Sequence, residues 1–559
     1  ARWFPEWWQA FPSLLDPRVR LAVPAASAAD REAHLVRLGY VLIAVVLLAR
    51  LAYIASGTIE VSKDEAYQWL WSKHLALSYY SKPPMIAYLQ FLGTTLWGDN
   101  AFGIRFLSPV MGAILGVVVL RFMAREVNAA AALALLLIVN CTPLTALGTV
   151  LMTIDPPLVL FWTLAMVVGW RAIRPESTTQ DWLLIGWAMG LGFLSKYTAA
   201  LQILCWAIFF AVYPPARPQL KRPGPYLALL VFLLCTIPVA IWNAQHGWIT
   251  VEHVGANAGL GSPWKPTLRF FGDFLGVEAA LLNPVFFVGA LWAMAAFWKR
   301  RRTHPLLLYL FCMGAPVFLG YWLYSLHSRI LPNWIAVAVL PLFCLMVVYW
   351  QMRWREGTRF VKGGLTAGLL LGLFAVVLMH ETRLLGRIVG HDLPPEMDPL
   401  RRVRAWKETA AVVEQARQQL EAEGKPAFII SDHYGMTGLF TLYLPAARAA
   451  LKSEPLVYAK TALHPENQFY FWPGYRGRRT GQNAIYVGEL DPFVLEAGWV
   501  RQWLKGQPIA LADQQKDIPQ IDNLVVKEFE SVRDLGVHEV RWRGKILRRV
   551  RLYECRNLQ

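Results

Sequence analysis

Long apolar runs alternate with short polar connections from about Leu35 to about His380, and beyond Glu381 the alternation stops. Each run approaches the ~20 residues that an α-helix needs to cross a hydrocarbon core. They fall at about 35–54, 101–120, 130–149, 155–171, 182–199, 200–214, 226–242, 274–298, 305–325, 330–350 and 364–380. The pattern predicts a polytopic α-helical membrane protein with about 11 spans. Residues 55–100 are too polar for a simple span. Asp64 to Leu75 reads as an amphipathic helix with Trp69 and Trp71 as interfacial anchors, Pro83-Pro84 as a break, and Met85 to Trp97 as a second helix. After Glu381 the pattern becomes that of a soluble α/β domain: a helix over 400–423, strands at 427–430, 455–458 and 483–487, and a strand-rich end over 523–555. The expected organisation is a cytoplasmic or interfacial segment 1–34, a transmembrane domain 35–380 and an outer α/β domain 381–559.

Charge then orients the spans. Basic clusters Arg121/Arg125, Arg171/Arg174, Arg217/Lys221/Arg222, Lys299–Arg302 and Arg353/Arg355/Arg359/Lys362 all fall on one face under this parsing, with Arg31 and Arg37. The positive-inside rule makes that face cytoplasmic. If 182–214 were a single tilted helix, the downstream clusters would disagree. The net charge of +17 thus reads as topology-setting rather than as a nucleic-acid signal. Composition agrees: of 559 residues 56% are hydrophobic and only 17% charged, where a soluble chain carries about a quarter. Five of six cysteines lie in apolar runs without metal or disulfide spacing. The start, Ala1 to Trp8, lacks the leading apolar core of a cleavable signal peptide and reads as interfacial.

The orientation gathers charge on the opposite, outer face: Asp64, Glu65, Lys82, Asp155, Lys196, His253 and Arg329. Ionisable groups at a bilayer surface are costly and often functional. Asp64-Glu65 supplies carboxylates for general-base work, or caps a helix. Lys82, before Pro83-Pro84, is held extended and suits a phosphate, or snorkels. Asp155 opens an apolar span, and Lys196 interrupts one between Ser195 and Tyr197. Asp155 faces a cavity or is a plain helix-start carboxylate, and Lys196 faces a cavity or snorkels outward. His246, Glu252 and His253 are metal-ligand types without a recognised zinc spacing.

Taken together, Asp64-Glu65-Ala66-Tyr67, Lys82-Pro83-Pro84, Asp155, Gly192 to Tyr197 and Leu331-Pro332-Asn333-Trp334 resemble the GT-C superfamily of membrane glycosyltransferases. Ser431 to Tyr434 and Gln468 to Trp472 are similar to blocks of its bacterial members. The likeness is to the branch of lipid A aminoarabinose transferases, galacturonosyl transferases and protein mannosyltransferases. It implies inverting transfer of a sugar from a polyprenyl-phosphate donor to lipid A or another glycolipid, at the periplasmic face of a bacterial inner membrane. Asp64 then matches the catalytic base. Lys82 matches the donor-phosphate lysine, with Lys196 and Arg329 as further phosphate ligands. Glu65, Tyr67, Asp155, Tyr197 and His253 become supporting, acceptor or metal residues. The resemblance implies a divalent metal ion held in part by a glutamate before the lysine; Ser81 stands there in this chain. Membrane lipids are the expected surroundings, a monomer the expected state, and nucleic acid is no partner. A flippase for lipid-linked sugars is the competing class, and a protein acceptor the competing substrate.

Overall fold

The computed structural model describes residues 28–261, 263–300, 304–490, 495, 498–507, 509 and 520–559. Most of the expected segment 1–34 lies outside the described residues. Its last part, from Ala28, already belongs to the first helix.

The apolar runs all become helices. In chain order these are α1 (Ala28–Ala55), α2 (Lys63–Ser72), α3 (Met85–Trp97), α4 (Ala101–Arg105), α5 (Leu107–Glu126), α6 (Ala129–Asn140), α7 (Pro143–Gly148) and α8 (Asp155–Ala172). They continue with α9 (Thr179–Ser195), α10 (Leu201–Val212), α11 (Gly224–Gln245), α12 (Ile249–Ala258), α13 (Leu268–Leu281), α14 (Pro284–Arg300), α15 (Pro305–Tyr324), α16 (Ala336–Arg355) and α17 (Arg359–His380). Among the described residues, six helices are long and apolar enough to cross a membrane: 29–55, 101–126, 224–245, 305–324, 332–355 and 359–380. Counting bent pairs as spans raises the number to eight.

Six to eight of the about 11 spans expected from hydropathy meet this test of length and composition. Residues 130–149, 182–199 and 200–214 form helices of only 12, 17 and 12 residues. The run 274–298 is two helices bent by 109°. The cause sits at Asn283-Pro284. Asn283 adopts a left-handed conformation (φ 68°), which asparagine tolerates better than most residues. Its side chain donates to Gly368 O (2.7 Å) and accepts from Val285 N (3.1 Å), which fixes the corner. The 182–214 run is two helices, as the charge pattern required. Lys196, in an extended conformation (φ −157°, ψ 135°), separates α9 from a 3₁₀ turn at Tyr197–Ala200 and α10.

The C-terminal region builds α18 (Arg383–Val389), α19 (Trp406–Glu421), α20 (Tyr434–Tyr443) and a five-stranded sheet. Its strands are β1 (Ala427–Ser431), β2 (Val457–Ala459), β3 (Asn483–Glu489), β4 (Phe529–Trp542) and β5 (Lys545–Leu558), in the order β2-β1-β3-β5-β4. β1 pairs parallel with β2 and β3, while β5 is antiparallel to β3 and β4. Every residue of β1 is buried, as expected of a strand covered on both faces.

This sheet unit does not stand apart from the helices. One hydrophobic core runs from Trp69, Trp71, Tyr79 and Ile86 of the first loop, through Met152 and Ile154, to Trp406, Met436, Phe440, Ile429 and Ile485. Two glycines make the approach feasible. A Cβ on Gly438 would meet the Ala66 backbone carbonyl at 2.6 Å, and one on Gly435 would meet Lys63 Cβ at 2.5 Å. Helix α20 therefore lies directly on α2, the helix that carries Asp64.

Candidate functional site

Helix α2 starts at a capping box. Ser62 Oγ accepts from Glu65 N (3.3 Å), and the Glu65 carboxylate accepts from Ser62 N (3.0 Å). The same carboxylate accepts two bonds from Arg105 (Nε 2.7 Å, Nη2 2.7 Å) and one from Met152 N (3.0 Å). Both partners of this ion pair are fully buried. Burial pushes Glu65 up, but the Arg105 charge and these hydrogen bonds hold it net below the ordinary carboxylate range. Its lone pairs are committed. Glu65 is thus an anchor for the helix start and not a ligand offered to a cavity, which corrects its expected supporting role in metal or acceptor binding.

Asp64, one position earlier, points the other way and is exposed. Adjacent residues on a helix differ by about 100°, so one turn start supplies both an anchor and a free carboxylate. Its hydrogen bond is accepted from the Tyr434 hydroxyl (3.4 Å) on α20. Tyr434 is braced by His433 (4.2 Å between rings) and Tyr67 (4.4 Å). Burial and the Asp64 charge raise the Tyr434 phenol, keeping it a neutral donor. Tyr67 is itself buried; its hydroxyl accepts from Gln468 N (2.6 Å), tying α2 to the sheet unit. His433 is an N-cap, accepting from Gly435 N (3.0 Å), and burial depresses it to about 4. Neighbouring Asp432 is pushed up to about 7 by burial, opposed by the Lys63 ammonium.

Lys82 lies after a turn closed by Tyr79 N donating to Lys82 O (3.2 Å), ahead of two buried prolines. Its ammonium has no ion pair among the described residues. It sits in the field of Asp64, Asp155 and Lys196; burial lowers its pKa, with Lys196 adding and both carboxylates opposing. Such an ammonium is a cation short of an anion.

Asp155 and Lys196, 41 positions apart, form an ion pair (2.8 Å). The other Asp155 oxygen accepts from Asn333 Nδ2 (2.7 Å) in the Leu331-Pro332-Asn333-Trp334 motif. Three separated motifs thus converge on one carboxylate. Tyr197 approaches Ser78 Oγ (3.4 Å) in the first loop. His253 Nε2 accepts from Asn257 (2.8 Å), and its ring lies against Tyr80 (4.5 Å). Burial and the Lys82 charge lower its pKa, which favours the neutral imidazole. Arg329 is exposed and makes no ion pair among the described residues.

Among the described residues, the side chains expected to hold a metal are engaged elsewhere. Asp155 is engaged by Lys196 and Asn333, His253 by Asn257, and Ser81 is a weak donor. No group of three His, Cys, Asp or Glu side chains among the described residues is arranged to hold an ion. Asp155 and His253 do not fit the role of shared metal ligands. Arg105 was not singled out by sequence, and Asn333 and Tyr434 stood only within motif blocks without a role, because their partners lie 40, 178 and 370 positions away. One local signal existed: Ser62-x-x-Glu65 is a capping-box pattern that assigns Glu65 to the helix start.

Beside the Asp155–Asn333 contact opens a mostly apolar cavity of about 280 Å³ between α1, α5, α8 and α16. Its polar lining includes Arg50, which donates to Asn140 Oδ1 (2.9 Å).

Comparison with known proteins follows the same lines. The dolichyl-phosphate-mannose-protein mannosyltransferase family matches residues 81–242, a segment that includes Lys82, Asp155 and Lys196. The lipid A galacturonosyltransferase RgtD of Rhizobium johnstonii is 29% identical over 57% of this chain and 66% of its own length. The undecaprenyl phosphate-α-4-amino-4-deoxy-L-arabinose arabinosyl transferase of Edwardsiella ictaluri is 26% identical over 60% of this chain. The chain spans 61% of that relative's length, so in both cases less than two thirds is matched. Among solved structures, ArnT from Cupriavidus metallidurans bound to undecaprenyl phosphate superposes with a TM-score of 0.56 at 15% identity, covering 92% of this chain and 97% of that one. Its apo form gives 0.54 at 14% identity. By fold, then, the chain is similar to ArnT over nearly its whole length.

Proposed function

We propose that the chain is a glycosyltransferase that moves a sugar from a polyprenyl-phosphate donor onto a lipid acceptor of the lipid A type, with inversion, at the periplasmic face of a bacterial inner membrane. The observation that carries this reading is an open carboxylate, Asp64, and a half-buried ammonium, Lys82, that has no ion pair among the described residues, in one electrostatic neighbourhood. Asp64 takes the proton of the acceptor hydroxyl as its oxygen attacks the anomeric carbon. The bond from that carbon to the phosphate oxygen breaks, and polyprenyl phosphate leaves as an anion already stable at neutral pH. No second carboxylic acid is required, unlike in glycoside hydrolysis. Lys82 neutralises the growing phosphate charge, and Lys196, held by Asp155, adds to the same field. Tyr434 orients Asp64 by donating to one oxygen and leaves the other for the acceptor. Arg329 is an outer-face cation able to meet the donor phosphate as it enters.

The relatives' names support the substrate classes, one naming lipid A and one an undecaprenyl-phosphate-linked aminoarabinose. The basic loop clusters support the orientation, with the transmembrane unit over 35–380 and the sheet unit outside. Mass spectrometry of envelope lipids from strains with and without the gene tests the reading. A lipid A species heavier by one glycosyl residue should be present only with the gene. Identical lipid spectra, with accumulation of unflipped donor in the deletion strain, would reject transfer and favour translocation.

A further inference from the structure

A second cavity, of about 600 Å³, lies between the sheet unit and the end of α2, outside the Asp64–Lys82 site. Its volume falls in the range of small-ligand sites. Tyr67 and Phe469 (rings 5.6 Å apart) and then Trp472 (5.4 Å from Phe469) form the wall between the two. On the far side this wall becomes cavity lining, with the Trp472 ring tilted against His74 (4.5 Å).

Three features point to a ligand. Two lining cations, Lys452 and Arg478, are exposed and have no ion pair among the described residues. By contrast Lys460 is paired with Asp522 (2.9 Å) and Arg476 with Glu528. The lining also holds a carboxylate, Glu466, with no ion pair among the described residues and able to accept from hydroxyls. Finally, Tyr458 is only 5% exposed, yet its hydroxyl in the cavity wall has no hydrogen-bond partner among the described residues. Buried hydroxyls are nearly always satisfied, so an orphan beside a cavity marks a place for a ligand or water. Aromatic faces stack on the C–H faces of sugars, the carboxylate takes sugar hydroxyls, and the two cations take phosphate or carboxylate.

We propose that this cavity binds an anionic saccharide, a part of the acceptor headgroup remote from the reacting hydroxyl, and so anchors the acceptor beside the Asp64 site. The inference rests on the transferase reading for the identity of the occupant. Its test is direct binding to the purified full chain in lipid nanodiscs, by calorimetry and saturation-transfer NMR. Three probes are used: a deacylated, bisphosphorylated glucosamine disaccharide, the same disaccharide without phosphates, and inorganic phosphate. The phosphorylated disaccharide should bind saturably and at least tenfold more tightly than either other probe.

Trp472→Leu and Lys452→Ala/Arg478→Ala should each weaken it about tenfold or more, and Tyr458→Phe about fivefold. Tyr458→Phe removes a hydroxyl with no internal partner, so it leaves the fold intact. Asp64→Asn should bind as the wild type does. Absence of saturable binding, equal binding of inorganic phosphate, or variants indistinguishable from wild type would overturn the proposal. A chain that transfers sugar but does not bind the disaccharide overturns this inference alone. One that binds it but transfers nothing counts against the transferase reading alone.

Discussion

Replacing Glu65 by Gln separates an anchoring role from a chemical one. The substitution keeps shape and volume but leaves the fully buried Arg105 guanidinium without its counter-charge. It also turns an acceptor toward Arg105, Ser62 and Met152 into a group that must donate somewhere. Removing one partner of a buried ion pair destabilises by about 3–5 kcal/mol. The upper part of that range is expected, because the carboxylate accepts five hydrogen bonds, two from Arg105, two from Ser62 and one from Met152. The start of α2 loosens, Asp64 moves with it, and α20 loses its flat partner. The measurement is thermal unfolding of the full chain in nanodiscs, read by thiol labelling of Cys555, which is buried in the sheet. Labelling should begin at clearly lower temperature, and transfer should fall in parallel. A double replacement, Glu65→Leu with Arg105→Met, should recover part of the stability, since an apolar pair tolerates burial. Recovery stays incomplete because Arg105 also donates to Glu60 O (2.7 Å) and Ile59 O (3.3 Å). Unchanged thermal stability with loss of turnover alone would refute the anchoring argument and return Glu65 to the chemistry.

Further perturbations act on other parts of the same arrangement. Gly438→Ala places a Cβ 2.6 Å from the Ala66 carbonyl group, where only backbone can give, so α20 must lift off α2; a loss of about 1–3 kcal/mol in unfolding free energy is expected, with reduced turnover. Lys82→Met should raise the donor KM about tenfold or more through loss of a charge-assisted contact, with the acceptor KM unchanged. Because burial lowers the Lys82 pKa from the usual 10.5, the ammonium is lost at lower pH than for an ordinary lysine. The donor KM should therefore climb as pH rises through that lowered value, and Lys82→Arg, which stays charged, should move the alkaline limb upward. Asn333→Ala frees one Asp155 oxygen while keeping the Lys196 pair, and should reduce turnover less than Asp155→Ala, which strands Lys196; steady-state kinetics of both variants check the order.

Periodicity carried most of the helical architecture. Apolar runs of spanning length became helices because in lipid the backbone must satisfy its own hydrogen bonds. The break at Lys196 and the two helices of the first loop were legible from interrupted hydropathy and Pro83-Pro84. The corner at Asn283-Pro284 was passed over, since a left-handed asparagine leaves no mark on a hydropathy average. Strand positions 427–430 and 483–487 came from β-branched and aromatic runs, but their order in the sheet did not, because crossover connections have no local signature.

At the site, residue types were legible and pairings were not. Asp64, Lys82, Asp155 and Lys196 stood out as ionisable groups at the ends of apolar runs. That Lys196 belongs to Asp155, or Tyr434 to Asp64, is a consequence of tertiary packing. Glu65 is the instructive case, because adjacency to Asp64 suggested shared chemistry. The helix turns the two side chains apart, one into an arginine clamp and the other into the open. The sheet unit was expected as a separate soluble domain. Its core is instead continuous with the first loop, a continuity that glycines at 435 and 438 permit.

The central claim is that Asp64 is the base for attack on a polyprenyl-phosphate sugar. Purified chain in nanodiscs, given labelled polyprenyl-phosphate sugar and lipid A, should release one polyprenyl phosphate for each glycosylated lipid formed. Asp64→Asn should retain the wild-type unfolding temperature and donor affinity while turnover falls at least a hundredfold, the span expected for losing a general base. Turnover by a folded Asp64→Asn at the wild-type rate would contradict the account.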